Sequence, residues 1–312
     1  MTQQNAHQYV ELTLTSWNDV IELSDKLKDF VFRGHADCKW NLSSTLERDS
    51  ARFGCPPQDI WDNEKVIISQ FKSRAHHFLK HTPDDGELME WLSIIQDYGG
   101  PTRLLDFTDS FYVAAFFASE STSTDACIWA INSYQLLFHS LFRIRYDIGI
   151  VNDKSYDVTA KEICKYAEKQ ITAKDEKDLV LGVVPPRLND RLAVQKGQFL
   201  FPCNLNKGFE YNLCKTMFLP FDSLDSSNAT RLTIENNQIS VIANSSIIKI
   251  ILPLSLQREF LIRLYRMNID AASLFPGLDG FARSLKIFTY YVGKRFRISS
   301  SPTDDQAAKN VA

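Results

Sequence analysis

The chain lacks the signatures of the best-known enzyme classes. It holds no G-x-x-x-x-G-K-[ST] loop, no G-x-S-x-G elbow, no H-E-x-x-H pair and no G-x-G-x-x-G turn. Those absences set aside P-loop hydrolysis, α/β-hydrolase chemistry, zinc-peptidase chemistry and dinucleotide binding of the Rossmann kind. The six cysteines, at positions 38, 55, 127, 164, 203 and 214, form no C-x-x-C pair. Neither a zinc module nor a disulfide framework is therefore indicated, and they read as reduced thiols of a cytoplasmic protein. An excess of positive charge is missing too: 35 Lys and Arg stand against 38 Asp and Glu, a formal charge of -3. No global field draws the chain to nucleic acid. No apolar run approaches the roughly 20 residues that cross a bilayer. The opening "MTQQNAHQYVELTL" has no basic segment followed by an apolar core, so neither a signal peptide nor a membrane partner is expected.

What is present is the composition of a globular protein: 312 residues, 44% hydrophobic and 23% charged, enough for one large core. Residues 1–10 read as a flexible N-terminus, 11–298 as a single domain with its motifs in 28–135, and 299–312 as a disordered polar tail. The spacing of Val20, Ile21, Leu23 and Leu27 predicts a helix ending near residue 29. Phe30 to Phe32 predicts a short strand that ends at Arg33 and Gly34. The clearest amphipathic pattern covers 58–80, and a second helix runs up to the Gly99-Gly100-Pro101 stop. "TRLLDFT" then reads as a short strand or extended turn. Asp109 or Ser110 caps a helix through Ser119 that is apolar on every side, so Phe111, Phe116 and Phe117 are assigned to the core. "ACIWAIN" and "SSIIKIILP" read as buried strands, and two more strand-like runs flank Pro185-Pro186. The Lys/Asp/Glu-rich stretch 153–180 reads as a surface insertion or mobile helical segment.

Few residues stand out as chemistry. His77 and His81 share a helix face, with His76 beside them. Metal sites favour three or more ligands, and no acidic or cysteine ligand is near in sequence, so exposed histidines are the plainer reading and no metal is expected. Arg33 is a costlier placement, because a guanidinium at the edge of a core needs an anion. That anion is either a carboxylate of the chain, Asp106 or Glu47, or a phosphate of a ligand that Gly34 would let approach. Arg103 and Asp106, three apart, favour opposite faces of an extended strand, one braced in the fold and the other facing a site.

Two blocks carry a resemblance. In "FRGHADCKWNLSSTLER" the matching residues are Phe32, Arg33, Gly34, Trp40, Leu42, Ser44 and Arg48. In "IIQDYGGPTRLLDFTDSFYVAAFFAS" they are Gln96, Tyr98, Gly99, Pro101, Thr102, Arg103, Leu104, Leu105, Asp106, Thr108, Ala114, Phe117 and Ala118. Together they resemble the FRG domain, a family of bacterial and phage-associated proteins named for its Phe-Arg-Gly. The family more often has His where this chain has Asp97 and Trp where it has Phe107. Segments 191–202 and 273–286 also resemble pieces that follow the core in longer members.

The family's order of elements is similar to the ADP-ribosyltransferase fold. The resemblance therefore implies an α+β protein with a split β core and several packed helices. It implies a first strand ending in Arg33 and Gly34, a second carrying Thr108 (or Thr102) before a helix, and a late strand supplying Gln195 or Glu210. In that mapping Arg33, Thr108 and Gln195 are catalytic, and Arg33, Gly34, Gln96, Tyr98, Thr102, Arg103 and Asp106 hold NAD, with Tyr98 stacked on the nicotinamide. NAD would be the substrate, and a nucleic acid or protein the acceptor. Such a toxin or anti-phage effector would need an antitoxin or chaperone to restrain it. The alternative is a non-catalytic module that binds a nucleotide or nucleic acid. This carry-over rests on fold-level analogy.

Overall fold

The computed structural model describes residues 9–290, apart from 146, 149–157, 174–175, 188–189, 221–223, 235–241 and 243. The segments 1–8 and 299–312, predicted flexible and disordered, lie outside the described residues, as does the start of the predicted insertion. The strands are β1 (Tyr9–Thr13), β2 (Phe30–His35), β3 (Leu105–Thr108), β4 (Ala126–Asn132), β5 (Val180–Val183), β6 (Gly197–Pro202), β7 (Thr230–Leu232) and β8 (Ile247–Leu252). Among the described residues they make one mixed sheet in the order β5-β6-β3-β2-β4-β8-β1-β7. β1 runs parallel to β7 and β8, and the other pairs are antiparallel. The protein is thus α+β. Tyr9 and Val10, expected in a flexible terminus, instead open a strand inside the sheet, with Tyr9 opposite Ile247.

The helices are α1 (Trp17–Lys26), α2 (Thr45–Arg52), α3 (Ile60–Ala75), α4 (Leu88–Asp97), α5 (Phe111–Ser119), α6 (Ser133–Ile144) and α7 (Ala160–Ala173). They continue with α8 (Asp190–Val194), α9 (Phe209–Thr216), α10 (Leu254–Arg266), α11 (Ala271–Leu274), α12 (Leu278–Ser284) and α13 (Ile287–Tyr290). Side-chain alternation sorts the central strands onto two cores. Phe30, Phe32, Ile128, Ala130, Ile248 and Ile250 pack with α1, α5 and α10. Val31, Cys127, Trp129, Ile131 and Ile247 pack with α9 on the other face. Covered on both sides, β4 is buried along its whole length, which is why its sequence shows no polar alternation.

The apolar helix α5 starts at Ser110, whose hydroxyl accepts from the Val113 amide at 3.3 Å. It presses on β2 at Gly34, where a Cβ would stand 2.1 Å from Ala114 O and 2.6 Å from Ala118 N. Gly34 is therefore the residue that lets helix and strand backbones touch.

A third core joins α3, α4 and α7 to β5 and β6. The 153–180 stretch does carry the helix expected of it, but α7 buries Ile163, Cys164, Tyr166, Ala167 and Ile171 and so packs into the core. Within α7 the charged residues Lys161, Glu162, Lys165 and Lys169 are exposed. α3 stops at Ala75 instead of continuing to residue 80, so His77 and His81 do not share a helical face.

Candidate functional site

β2 and β3 share a single register pair, Phe32 opposite Thr108, whereas β2 pairs with β4 over six residues and β3 with β6 over four. Beyond that rung the two neighbours part. Arg33, Gly34 and His35 then face Asp106 and Phe107 across a gap instead of a ladder. The gap opens into a cleft of about 340 Å³ lined from β2, β3, α4 and α8 and from Phe275 after α11. That volume lies at the small end of ligand sites.

Arg33 spans the split. Its Nη1 donates to the Asp106 carbonyl at 2.8 Å and lies 3.6 Å from Asp106 Oδ2, and its Nε donates to His35 Nε2 at 3.0 Å. The strand carbonyl that lost its ladder partner has thereby gained a charged donor. Burial lowers the Arg33 pKa and the Asp106 charge opposes that shift. Of Sequence analysis's two carboxylate partners for Arg33, Asp106 is the one in place. Glu47 is turned to the amide of Phe209 at 3.2 Å. Gln96 holds Asp106 from the other side, Nε2 to Oδ2 at 2.8 Å, and accepts from Thr102 Oγ1 at 2.5 Å.

Arg33, Gly34, Gln96, Asp106, Thr108 and Gln195 line this one cleft. Their hydrogen bonds and surroundings differ from one to the next. Gly34 lines the cleft and also makes room for α5. The Thr108 hydroxyl donates to Gln195 O at 2.6 Å and accepts from Ser110 N at 3.0 Å, while Gln195 Nε2 donates to Leu274 O at 2.9 Å. Those two side chains therefore tie walls together. Tyr98 sits past the end of α4, 72% exposed, and does not line the cleft. Thr102 is fully buried and serves the turn, accepting from Leu104 N at 3.1 Å. Arg103 is fully buried as well, its fork closed on Glu64.

Glu210, the alternative to Gln195, is remote from the cleft. Its Oε1 accepts from Leu42 N at 2.8 Å on the α9 side of the sheet. Burial, reinforced by the Glu47 charge, pushes its pKa up to about 6 from 4.5. The folded state thus holds a proton that the unfolded chain has released between these values. Its share of stability is full below pH 4.5 and is lost as pH rises through 6, by about 2 kcal/mol. Glu210→Gln keeps the acceptor for Leu42 without the charge. Urea unfolding at pH 4.5 and pH 7.5 is expected to show the variant gaining 1–2 kcal/mol on the wild type at the higher pH only.

The cleft also holds residues to which the sequence assigned no ligand-binding role. Asp97 and Arg191 line the cleft: Arg191 Nη1 donates to Asp97 O at 2.9 Å and to its carboxylate at 3.3 Å. Burial raises the Asp97 pKa and Arg191 opposes the shift. The Arg191 guanidinium lies over the Phe275 ring at 4.8 Å, with Arg283 over the same ring at 4.3 Å. Trp40, Phe117 and Phe275 supply aromatic surface to the walls. Periodicity could not have found Arg191, because α8 is five residues long. Among the described residues no group of three His, Cys, Asp or Glu is placed to hold a metal.

The protein is thus an α+β chain with a cleft at a split between two strands, lined by two arginines, two carboxylates and several aromatic rings. Residues 28–127 match the family model of the FRG domain. The match supplies Arg33, Gln96, Asp106 and Thr108 to the cleft, while Arg191, Gln195 and Phe275 come from beyond it. No curated protein matches the chain, and no solved structure does. No helix among the described residues is long and apolar enough to cross a membrane.

Proposed function

We propose that the cleft takes NAD and that the protein is an ADP-ribosyltransferase-like enzyme, a toxin or anti-phage effector that modifies a macromolecule. One observation carries this reading: a strand carrying Arg33 and Gly34, a strand carrying Thr108 before a helix and the Gln195 segment before β6 converge on one cleft at a split in the sheet. Arg33 has its Nε and Nη1 committed, which leaves Nη2 for a phosphate oxygen. Arg191 offers a second positive charge from the facing wall, and Trp40 or Phe275 a ring on which a base can stack.

Asp106 is the residue assigned to the reacting centre. Its side chain is 53% exposed, fixed by Gln96 and Arg33, and Gln195 brings no charge. The bond between the ribose anomeric carbon and the pyridinium nitrogen breaks, nicotinamide leaves with the electron pair, and the Asp106 carboxylate stabilises the oxocarbenium that remains. The acceptor's nucleophile then bonds to that carbon, and its proton passes to Asp106. An activity of this kind requires restraint in the producing cell, supplied by an antitoxin or chaperone.

A second reading, a non-catalytic nucleotide-binding module, is favoured by Gln195, whose amide is engaged with Leu274 O. Nicotinamide release separates the two. Purified wild type and Arg33→Ala are incubated with NAD, with and without total cellular RNA or protein. Release by the wild type, raised by one acceptor class and about 100-fold lower in Arg33→Ala, is the expected result. NAD binding without release under any condition would replace the enzyme by the binding module.

A further inference from the structure

His35 is used neither by the motif nor by the chemistry above. It lies two residues beyond Arg33 on β2, so the two side chains leave the strand on one face while Gly34 between them meets α5. The imidazole is 6% exposed and edge-on to Trp40, ring centroids 6.1 Å apart. It accepts from Arg33 Nε at 3.0 Å through Nε2. A ring nitrogen that accepts carries no proton, so His35 is the neutral Nδ1–H tautomer. Its surroundings agree. Burial first, then the charges of Arg33, Arg48 and Lys249, push its pKa down to about 3, with the Trp40 backbone alone favouring the protonated form.

A guanidinium is planar, and two anchors fix its plane where one leaves it free to turn about the bond to Nε. The anchors here are the Asp106 carbonyl on Nη1 and His35 on Nε. With Nε and Nη1 held, Nη2 is the remaining nitrogen of the fork. We propose that His35 is the positioning residue of the cleft: its neutral ring sets the plane of the Arg33 fork so that Nη2 is presented to an anionic group of the ligand. This rests on the NAD reading for the ligand's identity and on the geometry alone for the orientation of Arg33.

The two parts are tested together on the full chain, labelled with nitrogen-15. The Arg33 Nε–H resonance, identified by its loss in Arg33→Lys, is followed in wild type, His35→Gln, His35→Asn and His35→Phe. Gln reaches the place of Nε2 with an acceptor, whereas Asn falls short and Phe has none. A slowly exchanging resonance in wild type and His35→Gln, with fast exchange in the Asn and Phe variants, is expected. NAD affinity by calorimetry is expected to fall about tenfold in His35→Asn and His35→Phe and to recover in His35→Gln. Equal melting temperatures for wild type, His35→Gln and His35→Asn separate positioning from folding, and His35→Asn carries the test if His35→Phe does not fold. An Arg33 Nε–H that is equally protected in every His35 variant overturns the inference. The expected exchange pattern with no NAD bound by any form sustains the positioning role and removes the NAD reading.

Discussion

Arg103→Ala is expected to lower the unfolding free energy by about 3–5 kcal/mol, measured by urea or thermal unfolding. The fork of Arg103 donates from Nε to Glu64 Oε1 at 2.7 Å and from Nη2 to Glu64 Oε2, and from Nη1 to the carbonyls of Pro202 and Cys203 at 3.3 and 3.4 Å. Its guanidinium also lies 4.7 Å from the centres of both the Trp61 and Phe201 rings. Truncating it leaves the Glu64 carboxylate buried with no counter-charge, and that orphan is the source of the loss. Arg103→Lys keeps the charge but cannot form the bidentate pair, so an intermediate loss is expected. Arg103→Met with Glu64→Leu removes both charges and should recover most of the stability. A single Arg103→Ala variant within 1 kcal/mol of wild type would show that the pair is not closed.

Gly34→Ala is the other large effect. The new methyl would lie 2.1 Å from a helix carbonyl, far inside contact distance, and the obstacle is backbone rather than a side chain that could turn aside. α5 must lift from β2, which loosens Phe32 against Phe111, ring centroids 5.2 Å apart, at the same time. The expected destabilisation is about 3 kcal/mol, the upper end for overpacked cores, read as a shift of the urea midpoint at constant m-value. Because Arg33 is anchored on the neighbouring residue, the cleft should suffer as well. An unchanged midpoint would mean that α5 does not bear on the strand.

The strands β2, β4 and β8 and the helices α1, α4 and α5 were legible in the sequence, because long apolar runs, caps and a Gly-Gly-Pro stop are local signals. β1 was not, since "YVELT" is five residues whose partners, β7 and β8, lie more than 200 positions away. Alternation assigned Arg103 and Asp106 to different faces. It could not say which face holds a cleft, so Arg103 entered the candidate site although Glu64, 39 residues earlier, closes on it. Gly34 was legible as a special position but not for its cause: a ligand and a helix both need a missing Cβ. Asp97 departs from the His more often found in the family, and its partner Arg191 sits 94 residues on, in a helix too short to show a period. His35 carried its signal openly, two places after the motif arginine. What hid it was that a neutral, buried histidine looks in sequence like any other histidine.

The single rung between β2 and β3 also divides the sheet into two plates, β5-β6-β3 and β2-β4-β8-β1-β7. Across that seam the described chain has Phe32 opposite Thr108 and the Arg33 bond to Asp106. A ligand seated there touches both plates at once, so occupancy and the cohesion of the sheet become linked quantities. The Phe32–Thr108 rung and the Arg33 bond to Asp106 are what the seam has of its own; any occupant of the cleft adds a bridge between the plates.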